Sequence, residues 1–481
     1  MIGPKITIDG FDRGIVLDPT KQIRNGFNFC SGIDIYREPG ILQVSQTMAA
    51  MTEAAATNNI TDTINWMVKY SDDGKVYGLG AGRIYDYNKT EANKWKLVHA
   101  DGNTGVGNGM MEYNGNLHWA SNGSLGKFDG TTWTDSFKAF SADDNTWHPM
   151  TTYLGKLMIG DGRYIATLDS DDTWVATDLT LPAGYRVRSL GVYGDRLVIG
   201  TWRGSNIYEQ PEATLFTWDG INGHEEENSW TKKKSGILAM APSPWGNTLI
   251  VFAGVGGDIY EFNGAELKWL TRIPKINRSL GYYGVVNPGA IAEYMGNLIF
   301  GFSAGTSSAL MAPYYGIYTL GQQAPEGKIS LIKSHIPSVG EQNSLRISSI
   351  LQAGTNQFYA AWRHSATTYG VDKLDIADTP ASGPYWESQV YEVSKSNQKE
   401  LIKGVGIIAR PLVATSNLVV EYKLDNEASW QSLGTVTSTN QGQVLKGINK
   451  RAKTIQIRLE FVNSGTGSGN TSPQIQKINI Y

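Results

Sequence analysis

One short turn, recurring along the chain, constrains the fold more than any other feature. It reads YSDDGKV at 70–76, EYNGNL at 112–117, TYLGKL at 152–157, VYGDRL at 192–197, PWGNTL at 244–249, EYMGNL at 293–298 and AGTNQF at 353–358. The glycines are Gly74, Gly115, Gly155, Gly194, Gly246, Gly296 and Gly354, at spacings of 41, 40, 39, 52, 50 and 58 residues. Glycine tolerates the positive φ that tight hairpin turns demand, so each motif predicts a hairpin. A short apolar strand follows each turn, as in LMIGDG at 157–162, LVIGTW at 197–202, LIVFAG at 249–254 and LIFGFS at 298–303. A second strand, often carrying Ile-Tyr, comes next: RIYDYN at 83–88, DIYEFNG at 258–264 and GIYTLG at 316–321. Most units close on a tryptophan after a polar turn: Trp95, Trp133, Trp174, Trp230, Trp269 and Trp386.

A unit of about four short strands, repeated at this period, matches one blade of a β-propeller. Seven copies predict seven blades, placed at 63–395. The repeated tryptophans read as blade-packing residues, because a position that recurs from unit to unit serves the scaffold rather than one site. The later units carry insertions at 209–236, including HisGluGluGlu at 224–227, and at 304–315. Long loops on one face of a scaffold are where contacts usually sit.

Composition agrees with an all-β fold. Charged residues are 18%, below the roughly 25% of an average soluble domain, and the 481 residues include 55 glycines. Aromatics reach 11%. This composition excludes coiled coil and disorder. The net charge of −3 provides no global basic field for nucleic acid. Cys30 is the only cysteine, so no intrachain disulfide forms. The start lacks the pattern of a signal peptide, and no run of 18 apolar residues occurs. A soluble protein of a reducing compartment is expected.

Both ends depart from the repeat. Residues 396–481 alternate apolar and polar, most clearly in Leu418–Leu424 and Ile455–Phe461. Period two predicts strands with one buried face, and further strands are expected at 401–412, 429–437 and 473–481. Together they predict a C-terminal antiparallel β-sandwich. Residues 1–62 read as a strap, with strands around Pro39-Gly40, a helix-like window at Thr47–Thr57, and a ring-closing strand beside the seventh unit. An open ring would leave two bare sheet edges.

Catalytic and cofactor motifs are missing. The six histidines form no zinc-binding pair, and no Gly-x-Ser-x-Gly elbow occurs. Asp169, Asp171 and Asp172 resemble the start of a calcium loop, but Trp174 stands where the glycine is needed. AspGlyThrThrTrp at 129–133 resembles half of a sialidase Asp-box, a structural turn. The reading is no metal, no cofactor and no catalytic residue.

The order of parts resembles the β-propeller proteins of tailed-bacteriophage virions, most closely the tail nozzle or hub proteins of short-tailed phages. The resemblance rests on a strap from IleAspGlyPhe at 8–11 to ArgGluProGlyIleLeu at 37–42, on GlyThrTrpArgGlySerAsnIleTyr at 200–208, and on IleGlnIleArgLeuGluPhe at 455–461. It implies a structural virion protein, made in the host cytoplasm and assembled as a homo-oligomeric ring with other tail or neck proteins. Non-specific contact with passing DNA is part of that expectation. The alternative is a carbohydrate-binding or glycan-hydrolysing propeller, such as a receptor-binding tail component.

Overall fold

A computed structural model describes the chain apart from residues 1–3, 19, 54–59, 89–93, 103–107, 122, 142–146, 204–211, 224–228, 233–235, 275–282, 306–308, 324–326, 375–382, 395–397, 413–415, 440–441 and 464–472. It is all-β, 61% strand and 2% helix. No described helix is long and apolar enough to cross a membrane. The chain divides into two units. One holds Ala50–Gly316 and Glu341–Lys373; the other holds Met1–Ala49, Ile317–Gly340 and Leu374–Tyr481.

The first unit is built from four-stranded antiparallel meanders, consistent with a propeller. Sheet one is Trp66–Lys69, Val76–Leu79, Arg83–Asn88 and Lys94–Ala100. Sheet two is Met110–Tyr113, Asn116–Ser121, Ser124–Phe128 and Trp133–Ala139. Sheet three is Met150–Tyr153, Lys156–Asp161, Tyr164–Leu168 and Trp174–Thr180. Sheet four is Tyr185–Tyr193, Arg196–Arg203, Ala213–Trp218 and Trp230–Lys232; sheet five is Ile237–Pro242, Leu249–Ala253, Asp258–Phe262 and Leu267–Arg272. The hairpin Gly284–Tyr294 with Asn297–Ala304, and the strands Arg346–Gly354, Gln357–Arg363 and Tyr369–Leu374, occupy the sixth and seventh places.

First strands of successive sheets touch, and Arg346–Gly354 touches Trp66–Lys69, so the series returns to its start. The apolar second strands are buried on both faces because a neighbouring sheet covers each face. Tyr153, Met158 and Ile165 share one cluster with Leu197, Ile199 and Trp218. Val198 and Leu215 share another with Ile237, Leu249 and Phe262. Fourth strands are outermost and half wet, as the alternating burial of Trp133–Ala139 records.

Hydrogen bonds stitch neighbouring sheets at both ends of the strands. At one end, Val187 N–H donates to the Gly162 carbonyl (2.7 Å) and Gly284 N–H to Val255 (3.0 Å). Ser303 Oγ bridges to the Ile347 carbonyl (2.9 Å), and Ser348 Oγ donates to the Ile64 carbonyl (2.5 Å). At the other end a tyrosine closing each of four successive first strands reaches the next sheet. Tyr70 donates to the Gly115 carbonyl (2.8 Å), Tyr113 to Gly155 (2.6 Å), Tyr153 to Asp195, and Tyr193 to Asn263 (2.7 Å). A Cβ on Gly264 would lie 2.5 Å from the Tyr193 ring, so this turn needs glycine for space as well as for its φ of 86°. Closure uses the incoming chain. Met51 N–H donates to the Val371 carbonyl (2.8 Å), and Thr52–Glu53 pairs in parallel with Lys94–Ala100.

The second unit joins the two chain ends. One sheet runs Ile6–Ile8, Ile475–Ile480, Glu400–Ala409, Gln443–Ala452. The other runs Phe29–Ser31, Tyr385–Glu387, Thr454–Asn463, Ser416–Leu424, Gln431–Val436. Burial alternates strictly along Ser416–Leu424, as its sequence period requires. Gln389 anchors the strap: its amide donates to the carbonyls of Ile23 (2.6 Å) and Gly26 (2.5 Å) and accepts from Ile23 N–H (2.8 Å).

The structure corrects several expectations. The window at 47–57 is not helical where described: Met48–Ala50 and Thr52–Glu53 are strands, since edge pairing outweighs a weak helical pattern. Residues 54–57 lie outside the described residues. The segment 209–236 is no single loop. It holds the buried strand Ala213–Trp218 and the strand Trp230–Lys232 of sheet four, while 224–227 lie outside the described residues. The two units do not follow the expected boundaries at 62 and 395: one begins at Ala50, and Ile317–Gly340 and the chain from Leu374 belong to the other.

Removing a tyrosine hydroxyl tests the stitching. Tyr113→Phe and Tyr70→Phe should each lower stability by about 1 kcal/mol in urea unfolding, the usual worth of one such bond. No change in midpoint would show that the ring packing alone holds the seam.

Candidate functional site

Of the turn glycines, Gly74, Gly115, Gly155, Gly194 and Gly296 have φ between 58° and 75°. Gly246 and Gly354 do not take positive φ, which corrects the expectation there. In the first case Ser243 N–H pairs with the Thr248 carbonyl across a longer loop; in the second the pairing register shifts between Gln352 and Gly354.

The tryptophans separate into three environments. Trp95 is fully buried against Tyr87 (5.5 Å between centroids) in the cluster that joins the seventh sheet to the first. Trp133, Trp174 and Trp230 are half-buried. Trp133 stacks on Phe128 (4.0 Å) and on His99 (4.6 Å), Trp174 donates to the Ala139 carbonyl, and Trp230 donates to Ala265 of the next sheet. Trp269 is 46% exposed and bonds Asp258 (3.2 Å) within its own sheet, so it is not a packing residue between sheets. Trp386 is buried, but in the unit of the chain ends, edge-on to Phe11 at 5.8 Å. It is no blade residue: its strand pairs with Phe29–Ser31 and Thr454–Asn463.

Arginine is concentrated at one strand end. Where first and third strands begin and second and fourth strands finish, the unit places Arg83, Arg163, Arg186, Arg188, Arg203, Arg272, Arg346 and Arg363, together with Lys138, Lys232, Asp161 and Asp258. Among the described arginines of this unit, Arg196 alone lies at the opposite end, which carries Lys69, Lys75, Lys156 and Lys268. The arginines are densest around sheet four. Arg188 is 4% exposed, with its guanidinium 3.8 Å from the Trp147 ring centre and 5.2 Å from that of Trp202. Across the hairpin Arg186 pairs with Trp202 and Tyr185 with Arg203, so both faces of this end carry cations. Arg203 lies over Tyr185 (5.6 Å) and meets Glu212 (2.8 Å). The sequence reading missed this sorting; the signal was arginine beginning or ending strands in one unit after another.

Titratable groups here are tied individually. His99 meets Asp135 at 2.5 Å while its ring stacks on Trp133. Burial pushes His118 down to about 4 and His335 to about 3, so both stay neutral. Asp129 and Asp219 are held at about 2 by backbone N–H groups of Thr132 and of Ile221, which cap the turns they begin. The calcium-like acids face lysines: Lys127 meets Asp172 (2.7 Å) and Lys156 meets Asp169 (3.5 Å). Among the described residues no group of three or more His, Cys, Asp or Glu could hold a metal. Burial of Asp62 outweighs Arg83 and raises its carboxyl to about 6, with Oδ1 lacking a hydrogen bond.

No protein-family model matches the sequence, and no curated protein matches it. Several solved structures align with parts of the chain. The extracellular domain of the putative hybrid two-component system BT4673 from B. thetaiotaomicron is 11% identical, with 84% of this chain covered, 47% of that one, and a TM-score of 0.45. The chain thus spans about half of that structure's length. A catalytically inactive virginiamycin B lyase from Staphylococcus aureus is 14% identical over 70% of this chain and 99% of that one, also at 0.45. The designed protein Ika8 is 11% identical over 69% and 100%, at 0.39.

Two measurements test the site. Trp133→Ala should cost about 3 kcal/mol in thermal or urea unfolding, and Trp269→Ala about 1 or less; equal costs would contradict the environments described. For Asp62 the folded value of about 6 lies above the unfolded 3.8. The native state therefore holds the extra proton between those values, and stability falls as pH rises through that window. Asp62→Asn should melt a few degrees higher than wild type at pH 7.5 and equally at pH 3.5. A constant difference at both pH values would remove the titration account.

Proposed function

We propose that Ala50–Gly316 and Glu341–Lys373 carry the seven first strands of a seven-bladed β-propeller, and that the two sheets of the other unit form a β-sandwich. On this reading the chain is a non-enzymatic structural subunit of a tailed-phage virion, of the tail nozzle or hub kind. It is made in the host cytoplasm and works by contact with neighbouring tail or neck proteins in a homo-oligomeric ring. The observation that carries the reading is the way the ends are tied. Ile6–Ile8 pairs with Ile475–Ile480, and Phe29–Ser31 with Tyr385–Glu387. An N-terminal strap and a C-terminal all-β part on either side of a propeller is the order of parts that the sequence resemblance implies. The pairing of the histidines and acids described above with structural partners also favours contact over chemistry, since catalysis needs groups converging in one pocket.

Light scattering of the purified chain, with a panel of polysaccharide substrates, tests this directly. A closed oligomer of defined mass at micromolar concentration, without hydrolysis, is expected. A monomer at every concentration would oppose the ring, and glycan hydrolysis would oppose the structural role.

A further inference from the structure

Sheet four differs from its neighbours at one point of the seam. Beside the closing tyrosine, the next cross-strand pair on the same face is Val68–Tyr77 in sheet one, Met111–His118 in sheet two and Thr151–Met158 in sheet three. In sheet four it is Gly191–Val198, the smallest of the four. The third strand adds one residue opposite each second-strand member. Asp86 meets Lys75 (3.3 Å), Lys127 meets Asp172 (2.7 Å) and Thr167 donates to Asp178 (3.0 Å). In sheet four it is Thr217, 5% exposed, whose hydroxyl makes no hydrogen bond among the described residues. A buried hydroxyl without a partner is costly, so this one calls for a partner from outside the chain.

A cavity of about 190 Å³ lies at this point, bordered by Tyr193, Arg196, Val198, Thr217, Trp230 and Phe262. Tyr193 pairs with Arg196 and Val198 with Thr217, while Leu215, two residues from Thr217, pairs with Trp230. Residues directly opposite, and alternate residues along a strand, share a face. The cavity residues of sheet four therefore stand on one face, and Phe262 of sheet five closes the other side. Phe262 is edge-on to Trp230 (4.6 Å) and to Tyr193 (5.6 Å). The polar tips of those two rings are tied to the Ala265 and Asn263 carbonyls, which fixes the walls. Arg196 is answered within the protein by the Asp195 carboxylate at 3.8 Å, so the cavity calls for no anion.

The geometry points to a binding site for one small phenol, a single aromatic ring with one hydroxyl. The ring lies against Val198, Phe262 and Trp230, and its hydroxyl meets that of Thr217. A cavity of about 150 Å³ with apolar walls takes one benzene ring, so the larger one here holds a ring with a substituent. A sugar ring fits less well, because its several hydroxyls would be desolvated against largely apolar walls. The site is independent of the virion reading: a failed ring of subunits would leave it standing, and its own failure would leave that ring standing.

Calorimetric titration of the intact protein with p-cresol tests the site, with toluene and N-acetyltyrosinamide as comparisons. Saturable binding of p-cresol is expected, about tenfold tighter than toluene because of the hydroxyl. Thr217→Val should remove that difference and leave toluene binding unchanged. Val198→Met places in sheet four the side chain that Met158 supplies in sheet three, and should abolish binding of both. Neither substitution adds a charge, and melting curves matching wild type verify the fold. N-acetyltyrosinamide should bind about tenfold more weakly than p-cresol, since the cavity has room for the ring and not for two amides. Equal affinity would assign the cavity to a tyrosine of a partner protein and overturn the small phenol. The proposal is also overturned by no saturable binding, by toluene binding as tightly as p-cresol, by a difference that Thr217→Val leaves intact, or by binding that survives Val198→Met.

Discussion

The tyrosine at the end of a first strand, bonded to a carbonyl of the next sheet, is the contact on which the rest depends. A four-stranded meander alone buries too little to be stable, and its two faces are equally apolar. Each sheet therefore needs a neighbour on both sides, in a fixed register. Tyr70, Tyr113, Tyr153 and Tyr193 set that register, because each ring packs in an apolar seam while its hydroxyl reaches one specified carbonyl. The opposite end is held by backbone and serine bonds such as Val187 to Gly162 and Ser348 to Ile64. With both ends of a seam fixed, the buried faces between them are filled by clusters drawn from two sheets at a time.

Much of this was readable in the residues. The turn motif located the hairpins of the first unit, and the period-two pattern located Ser416–Leu424 and Thr454–Asn463. The tyrosines were in the motif itself, one to four residues before the glycine, but a hydroxyl bond to a residue 42 to 70 positions away has no local signature. The strand Gln443–Ala452 escaped notice because its exposed, charged face breaks the alternation. Trp386 follows the last turn motif as the other tryptophans follow theirs, and only its pairing with the strap, more than 350 residues earlier, assigns it to the other unit. Long-range strand pairing is the part of a β fold that a local pattern does not carry.

The arginine-bearing strand ends were less legible still. A turn motif is visible as a string, whereas the arginine end appears only once the meanders are folded and every second strand reverses direction. Arg163, Arg186, Arg203 and Arg272 belong to different strands and turns, and topology alone places them at one end. The other end carries the turns at which Asp129 and Asp219 cap their own backbones.

A density map of the intact chain, by crystallography or electron microscopy at a resolution that traces strands, tests the central claim most directly. The account predicts seven sheets around one axis, with Arg346–Gly354 against Trp66–Lys69 and the Tyr113 hydroxyl on the Gly155 carbonyl. Six or eight sheets, or an open gap between the seventh and the first, would contradict it.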